Sequence, residues 1–243
     1  MKLIYFVLIV ITMEGLNVAC TKEFNSVKPT PISAFTVVNA VVNANPLIAD
    51  FSGVDSVIAY YSTTQQIGYG FFHEYSLPSG NTPAVVYQIT DTIHPFFKGL
   101  LNLKANAIYS LFLSAADTSQ KIIDTLLVQD YLPSHSSTDS VAGVRFVNLS
   151  PGSIPMSINL QGSANGSEVN SLGYKNITSF KNYPATTNIT QYVFEIRDVE
   201  SGDLLTSFVY NTAPFQNVTI VISGVEGVAG GSNTIGAFLV NNF

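Results

Sequence analysis

Ile123-Asp-Thr-Leu-Leu-Val-Gln-Asp-Tyr131 is answered 112 residues later by Ile235-Gly-Ala-Phe-Leu-Val-Asn-Asn-Phe243. Working back along the chain, Tyr109-Ser-Leu-Phe-Leu113 parallels Val218-Thr-Ile-Val-Ile222 at a spacing of 109, and Val86-Tyr-Gln-Ile89 parallels Val193-Phe-Glu-Ile196 at 107. Ile67-Gly-Tyr69 parallels Leu172-Gly-Tyr174 at 105, and Asn39, closing Phe35-Thr-Val-Val-Asn39, matches Asn148, closing Arg145-Phe-Val-Asn148, at 109. Five matches in one order at drifting spacings mark two copies with loop insertions and deletions. The copies span 31–133 and 141–243, and residues 134–140, Ser-His-Ser-Ser-Thr-Asp-Ser, form a linker of turn residues between them.

Each copy is about a hundred residues of short segments dense in β-branched and aromatic side chains, separated by Gly, Pro, Asn and Ser. Strands are expected at Ile32 to Val42, Val57 to Tyr61, Gly70 to Tyr75, Ala84 to Thr90, Ala107 to Ser114 and Thr125 to Asp130. In the second copy they are expected at Tyr192 to Asp198, Leu204 to Tyr210, Val218 to Ser223 and Ile235 to Val240. Their number and spacing predict an all-β chain of two tandem immunoglobulin-like antiparallel β-sandwich domains. The cysteine pair and tryptophan of antibody domains are missing, because the chain has one Cys and no Trp.

That cysteine is placed tellingly. Met1-Lys2 and the apolar run Leu3 to Ile11 read as a signal peptide over 1–19, too short to cross a bilayer core of about 30 Å as a helix. Leu16-Asn-Val-Ala-Cys20 resembles the bacterial lipobox, with small residues before a cysteine that becomes the acylated N-terminus. Here Asn17 stands where the pattern favours leucine, and Leu16 comes one place earlier. The resemblance implies lipidation at Cys20 and a membrane attachment through several acyl chains, each buried CH₂ contributing about 0.8 kcal/mol. Residues 20–30, polar and running into Pro29 and the following Pro31, read as a flexible lipid-anchored tether.

The opening of the second copy, Val144-Arg-Phe-Val-Asn-Leu-Ser-Pro-Gly152, followed by Ile154-Pro-Met-Ser-Ile-Asn-Leu160 and Gly162, resembles the first two strands of the DUF4397 family. Leu172-Gly-Tyr174 and Tyr192 to Asp198 are similar to its next elements, and 31–133 shows the pattern more faintly, with Asn43-Ala-Asn-Pro46 in place of Ser-Pro-Gly. The resemblance implies extracytoplasmic, often lipid-anchored sandwich domains and no particular activity.

A net charge of −6 leaves no basic stripe to neutralise phosphates, which sets nucleic acid aside as a partner. His73, His94 and His135 have no zinc-ligand spacing, and no local hydrolase, nucleotide or zincin motif occurs, so neither an enzyme, a cofactor nor a metal is expected. Asp50 with Asp55, and Asp198 with Glu200 and Asp203, put carboxylates at turns without following a calcium-loop pattern. Tyr60, Tyr61, Tyr69, Phe72 and Tyr75 are candidate ligand-facing aromatics, because rings on one open face could stack on sugars. The competing reading is that they fill a sandwich core. Ser56, Thr92, Thr125 and Ser140 follow an aspartate and precede an apolar residue, a pattern that some bacteria O-glycosylate on exported proteins.

These features together lead to the expectation of an outer-membrane lipoprotein, on the surface or the periplasmic face, acting as a non-enzymatic binding, adhesion or assembly module toward a protein or glycan. The alternatives are a periplasmic structural subunit that adds strands such as Ile235 to Val240 to an envelope partner, and a carbohydrate-binding accessory protein.

Overall fold

The computed structural model describes residues 30–53, 65–115, 122–136, 138–228, 230 and 233–242. Among these residues every regular element is a strand. The expected signal peptide, Cys20 and the tether up to residue 29 fall outside the described residues, as does the strand expected at Val57 to Tyr61.

Repeat 1 contributes β1 (Ile32–Ala40), β2 (Leu47–Asp50), β3 (Phe72–Pro78), β4 (Gly80–Gln88), β5 (Phe97–Leu103), β6 (Ile108–Ala115) and β7 (Ile123–Asp130). They form an inner sheet in the order β3-β1-β6-β7 and an outer sheet β2-β4-β5. Repeat 2 contributes β8 (Val141–Asn148), β9 (Met156–Leu160), β10 (Val169–Leu172), β11 (Lys181–Pro184), β12 (Gln191–Asp198), β13 (Leu204–Asn211), β14 (Asn217–Ser223) and β15 (Gly236–Asn242). Its inner sheet runs β11-β8-β14-β15 and its outer sheet β10-β9-β12-β13. The all-β sandwich expectation holds, with one refinement: β1 pairs parallel with β6, and β8 parallel with β14. The first strand of each repeat therefore sits in the middle of its inner sheet, between a late strand and the edge.

Alternation along these strands assigns the buried apolar side chains to three cores. Phe35, Val37, Leu111 and Leu113 face the outer sheet of repeat 1, against Leu47, Val86 and Leu101. Phe146, Ile220 and Ile222 do the same in repeat 2, against Ile158, Phe194 and Ile196. The opposite faces of the two inner sheets meet each other: Val38, Ala40 and Phe112 pack with Val147, Leu149, Val221 and Val240. The central inner strands β1, β6, β8 and β14 are thus largely buried on both faces, which β14 shows along its whole length, while β5 of an outer sheet alternates between exposed and buried. The order of layers is outer, inner, inner, outer, and 31–243 is one compact unit rather than two sandwiches joined only by a linker.

Matching asparagines show how deep the duplication runs. Asn39 donates from Nδ2 to the Ile67 carbonyl and accepts at Oδ1 from the Val41 amide. Asn148 donates to the Leu172 carbonyl and accepts from the Ser150 amide. Each fully buried amide side chain ties the end of the first strand to the segment that crosses it. One sequence match is corrected by register. Ile67 bridges to Leu47 as Leu172 pairs with Met156, and Ala49 then opposes Val86 as Ile158 opposes Ile196. Val86 therefore corresponds to Ile196, 110 residues on, and the string match to Val193 is three residues out of step, which would turn the strand over.

If the seam is a true core, truncating it must cost as much as truncating either sandwich. Phe112→Ala, at a fully buried seam position, is expected to lower stability by about 3–5 kcal/mol. Leu127→Ala on the neighbouring edge strand, at an exposed position, is expected to change it by less than about 1 kcal/mol. Urea unfolding of the two variants checks the difference.

Candidate functional site

Polar groups from both repeats gather at the two ends of the seam. At one end, Asp130 on β7 and Arg145 on β8 form an ion pair of 2.7 Å between the repeats, with side chains 0% and 4% exposed. Ser110 donates to Asp130 Oδ2 at 2.6 Å, Arg145 Nε donates to Thr219 Oγ1 at 2.8 Å, and Thr219 donates to Asn242 Oδ1 at 2.7 Å. The guanidinium also stands 4.5 Å from the centre of the Phe180 ring. Burial pulls the Arg145 guanidinium below its ordinary pKa, and the Asp130 carboxylate opposes the shift. The linker is seated here: Asn217 donates to the Pro133 carbonyl and its Oδ1 accepts from His135 Nε2. Gly143 makes the room, since a Cβ there would fall 2.2 Å from Asn217 Oδ1.

At the other end, Tyr69 of repeat 1 meets Ser223 of repeat 2 at 2.8 Å, and Tyr174 of repeat 2 meets Ser114 of repeat 1 at 3.1 Å. Ser114 donates to the Leu149 carbonyl, while Asp124 accepts from Tyr174 and pairs with Lys175 at 2.9 Å. Burial, with Asp124 alongside, pushes the Tyr174 hydroxyl up to about 12.

The aromatics singled out in the sequence do not share a face. Tyr69 lies in the seam, and Phe72 packs on the seam core. Tyr75, three positions along β3, faces the other way into the repeat-1 core, edge-on to Phe51 at 4.9 Å. Burial raises the Tyr75 hydroxyl to about 12. The described members of the patch thus each take part in packing, half-buried and on different faces; Tyr60 and Tyr61 lie outside the described residues. Of the hydroxyls in acidic-apolar tripeptides, Ser140 is exposed and Thr92 is half-buried in a bend. Thr125 is half-buried within β7, opposite Leu113, with the preceding Asp124 already engaged. Ser56 lies outside the described residues.

The acidic turns hold their own backbone. Asp50 accepts from the amide and hydroxyl of Ser52, and Asp198 from the amides of Glu200 and Ser201; Asp55 is outside the described residues. No group of three or more His, Cys, Asp or Glu placed to hold a metal occurs among the described residues. His94 is exposed and bonds Asp91 in its own turn, and His73 stacks edge-on to Tyr75. On repeat 2, Glu168 accepts from Lys181 and from the Tyr183 hydroxyl. Burial raises the Glu168 pKa, but these two donors outweigh it and the net shift is downward. Two clefts of about 300 and 330 Å³ flank Asp50, and a more open groove of about 480 Å³ runs between β3 and β15 beside Phe72, Glu74 and Asn241.

Of the seam-end groups, the candidate residues of the sequence included only Tyr69, and for a different role. Arg145 and Asp130 both stood in quoted repeats, and the signal available was a charge set among apolar neighbours at positions whose counterparts, Thr36 and Asn242, are neutral. No family model and no curated protein matches the chain.

The tyrosines fix an alkaline limit. Tyr75 and Tyr174 are neutral in the fold with pKa values raised from 10 to about 12. Their contribution is fully present below pH 10 and is lost as pH rises from 10 to 12. The urea midpoint is expected to fall over that window, and less steeply in the Tyr75→Phe/Tyr174→Phe variant. An unchanged slope would show that these hydroxyls do not couple to unfolding.

Proposed function

We propose that the chain is an exported lipoprotein, held at the outer membrane through acylated Cys20, whose two-repeat body acts as a non-enzymatic binding, adhesion or assembly module. The observation that carries this reading is the order of parts: an apolar leader, a lipobox-like Leu16 to Cys20, a polar tether, and then a strand-rich body beginning at Ile32. Eleven tether residues reach at most about 40 Å, enough to hold the body clear of a membrane surface. The non-enzymatic part of the reading is supported by Asp50, Asp124, Asp130, Arg145 and Asp198, each of which is engaged by neighbouring groups of the fold. A likeness to DUF4397 domains fits the same location.

A periplasmic subunit that pairs by strand addition is the second reading. It is favoured by β15, which among the described strands pairs only with β14 and borders the open groove with β3. A carbohydrate-binding accessory role has less support, since Tyr69, Phe72 and Tyr75 are engaged in packing. O-glycosylation, if added, suits the exposed Ser140 best and Thr92 next.

Protease shaving of intact cells tests the proposal, with ruptured cells as the control. The wild type is expected to be cut on intact cells and Cys20→Ala to leave the membrane fraction. Protection until rupture would favour the periplasmic subunit, and a Cys20→Ala variant that stays membrane-bound would refute lipid anchoring.

A further inference from the structure

The seam makes the same contacts twice with the repeats exchanged. Val38, Ala40 and Phe112 meet Val147, Leu149 and Val221, their counterparts 109 residues on. Tyr69 reaches Ser223 as Tyr174 reaches Ser114. That reciprocity is the geometry of a two-fold interface between like subunits. It fails at the charged groups: at the tyrosine end the part-exposed Asp124–Lys175 pair has Gly236 and Gly70 as its counterparts, and at the other end an ion pair is fully buried. The counterpart of Asp130 is Asn242 and that of Arg145 is Thr36, so one arm of the seam holds a buried ion pair and the other holds neutral Thr36 and Asn242, both buried.

We infer that each repeat's inner sheet is a docking face fitted to the other repeat, and that the Asp130–Arg145 pair makes this choice by forbidding like-with-like pairing. Two copies of repeat 1 joined in this geometry would set each Asp130 against a Thr36, burying two carboxylates with no cation. Two copies of repeat 2 would set each Arg145 against an Asn242, burying two guanidinium groups with no anion. Only the unlike pair brings one charge of each sign together, and an uncompensated buried charge is far more costly than a paired one. The charges therefore act as a selection against the wrong partner, on a surface whose apolar centre would accept either. A chain that met a second copy through this face would have to exchange repeat 1 for repeat 2.

The test uses the full chain with a protease recognition sequence inserted between Thr138 and Asp139, cut after folding and weighed by native mass spectrometry. The wild type is expected to remain a complex with one piece of each kind and to give no like pairs. Asp130→Asn with Arg145→Thr installs the residues already present at the equivalent seam positions, so this double variant makes the buried end of the seam neutral, leaves the part-exposed Asp124–Lys175 pair in place, and is expected to yield like pairs beside unlike ones. In the uncut chain each single substitution is expected to lower the urea midpoint more than the double does. Like pairs from the cut wild type, dissociation of its pieces, a double variant without like pairs, or single variants as stable as the double would each overturn the inference.

Discussion

The inner sheet of each repeat has two apolar faces, and one sandwich can cover only one of them. β1 and β6 send Phe35, Val37, Leu111 and Leu113 toward their own outer sheet, and Val38, Ala40 and Phe112 the opposite way. Leaving the second set in water would expose fully buried side chains whose transfer contributes about 1.5–3 kcal/mol for each large one. The second repeat supplies the cover with the same face of its own. Everything else in the molecule follows from that mutual burial: the four-layer order, the continuous burial of β14, and the seating of the linker on Asn217.

A purely apolar seam would satisfy this demand without choosing how the repeats meet. The seam is instead apolar at its centre and polar at its ends, where Tyr69, Ser223, Tyr174 and Ser114 clasp one side and Asp130, Arg145, Thr219 and Asn242 the other. Hydrogen bonds are directional where dispersion is not, so these ends fix register in a way that Val38 against Val147 cannot. The buried ion pair is a poor source of net stability, since desolvation offsets most of its attraction. Its surroundings show how that cost is limited: Ser110 takes one carboxylate oxygen, Thr219 takes Nε, and Phe180 lies against the guanidinium.

Much of this fold was readable in advance because the duplication preserves residues whose jobs are local. Asn39 and Asn148 make the same two hydrogen bonds, and Ile67-Gly-Tyr69 and Leu172-Gly-Tyr174 occupy the same crossing. Strands with weak local signals were passed over. Leu47–Asp50 is four residues long, Phe97–Leu103 is interrupted by Lys98 and Gly99, and Lys181–Pro184 ends in proline. The match of Val86 to Val193 failed because alternation makes a three-residue slip look plausible in a string of apolar letters while reversing its faces. The seam was illegible for a different reason. Burial on both faces reads only as a denser strand, and nothing in a linear pattern says whether the extra apolar face meets its own repeat, another copy or a different protein. The aromatic patch was open to both a core and a binding reading for a related reason, since Phe72 and Tyr75 are close in sequence but belong to different cores.

The central claim is that the repeats form one cooperative body because each is the cover of the other. Differential scanning calorimetry of residues 31–243 measures this directly through the ratio of calorimetric to van't Hoff enthalpy. One transition with a ratio near one is the result this account predicts. Two separable transitions, each with the enthalpy of about a hundred residues, would contradict it and return the molecule to two independent sandwiches on a string.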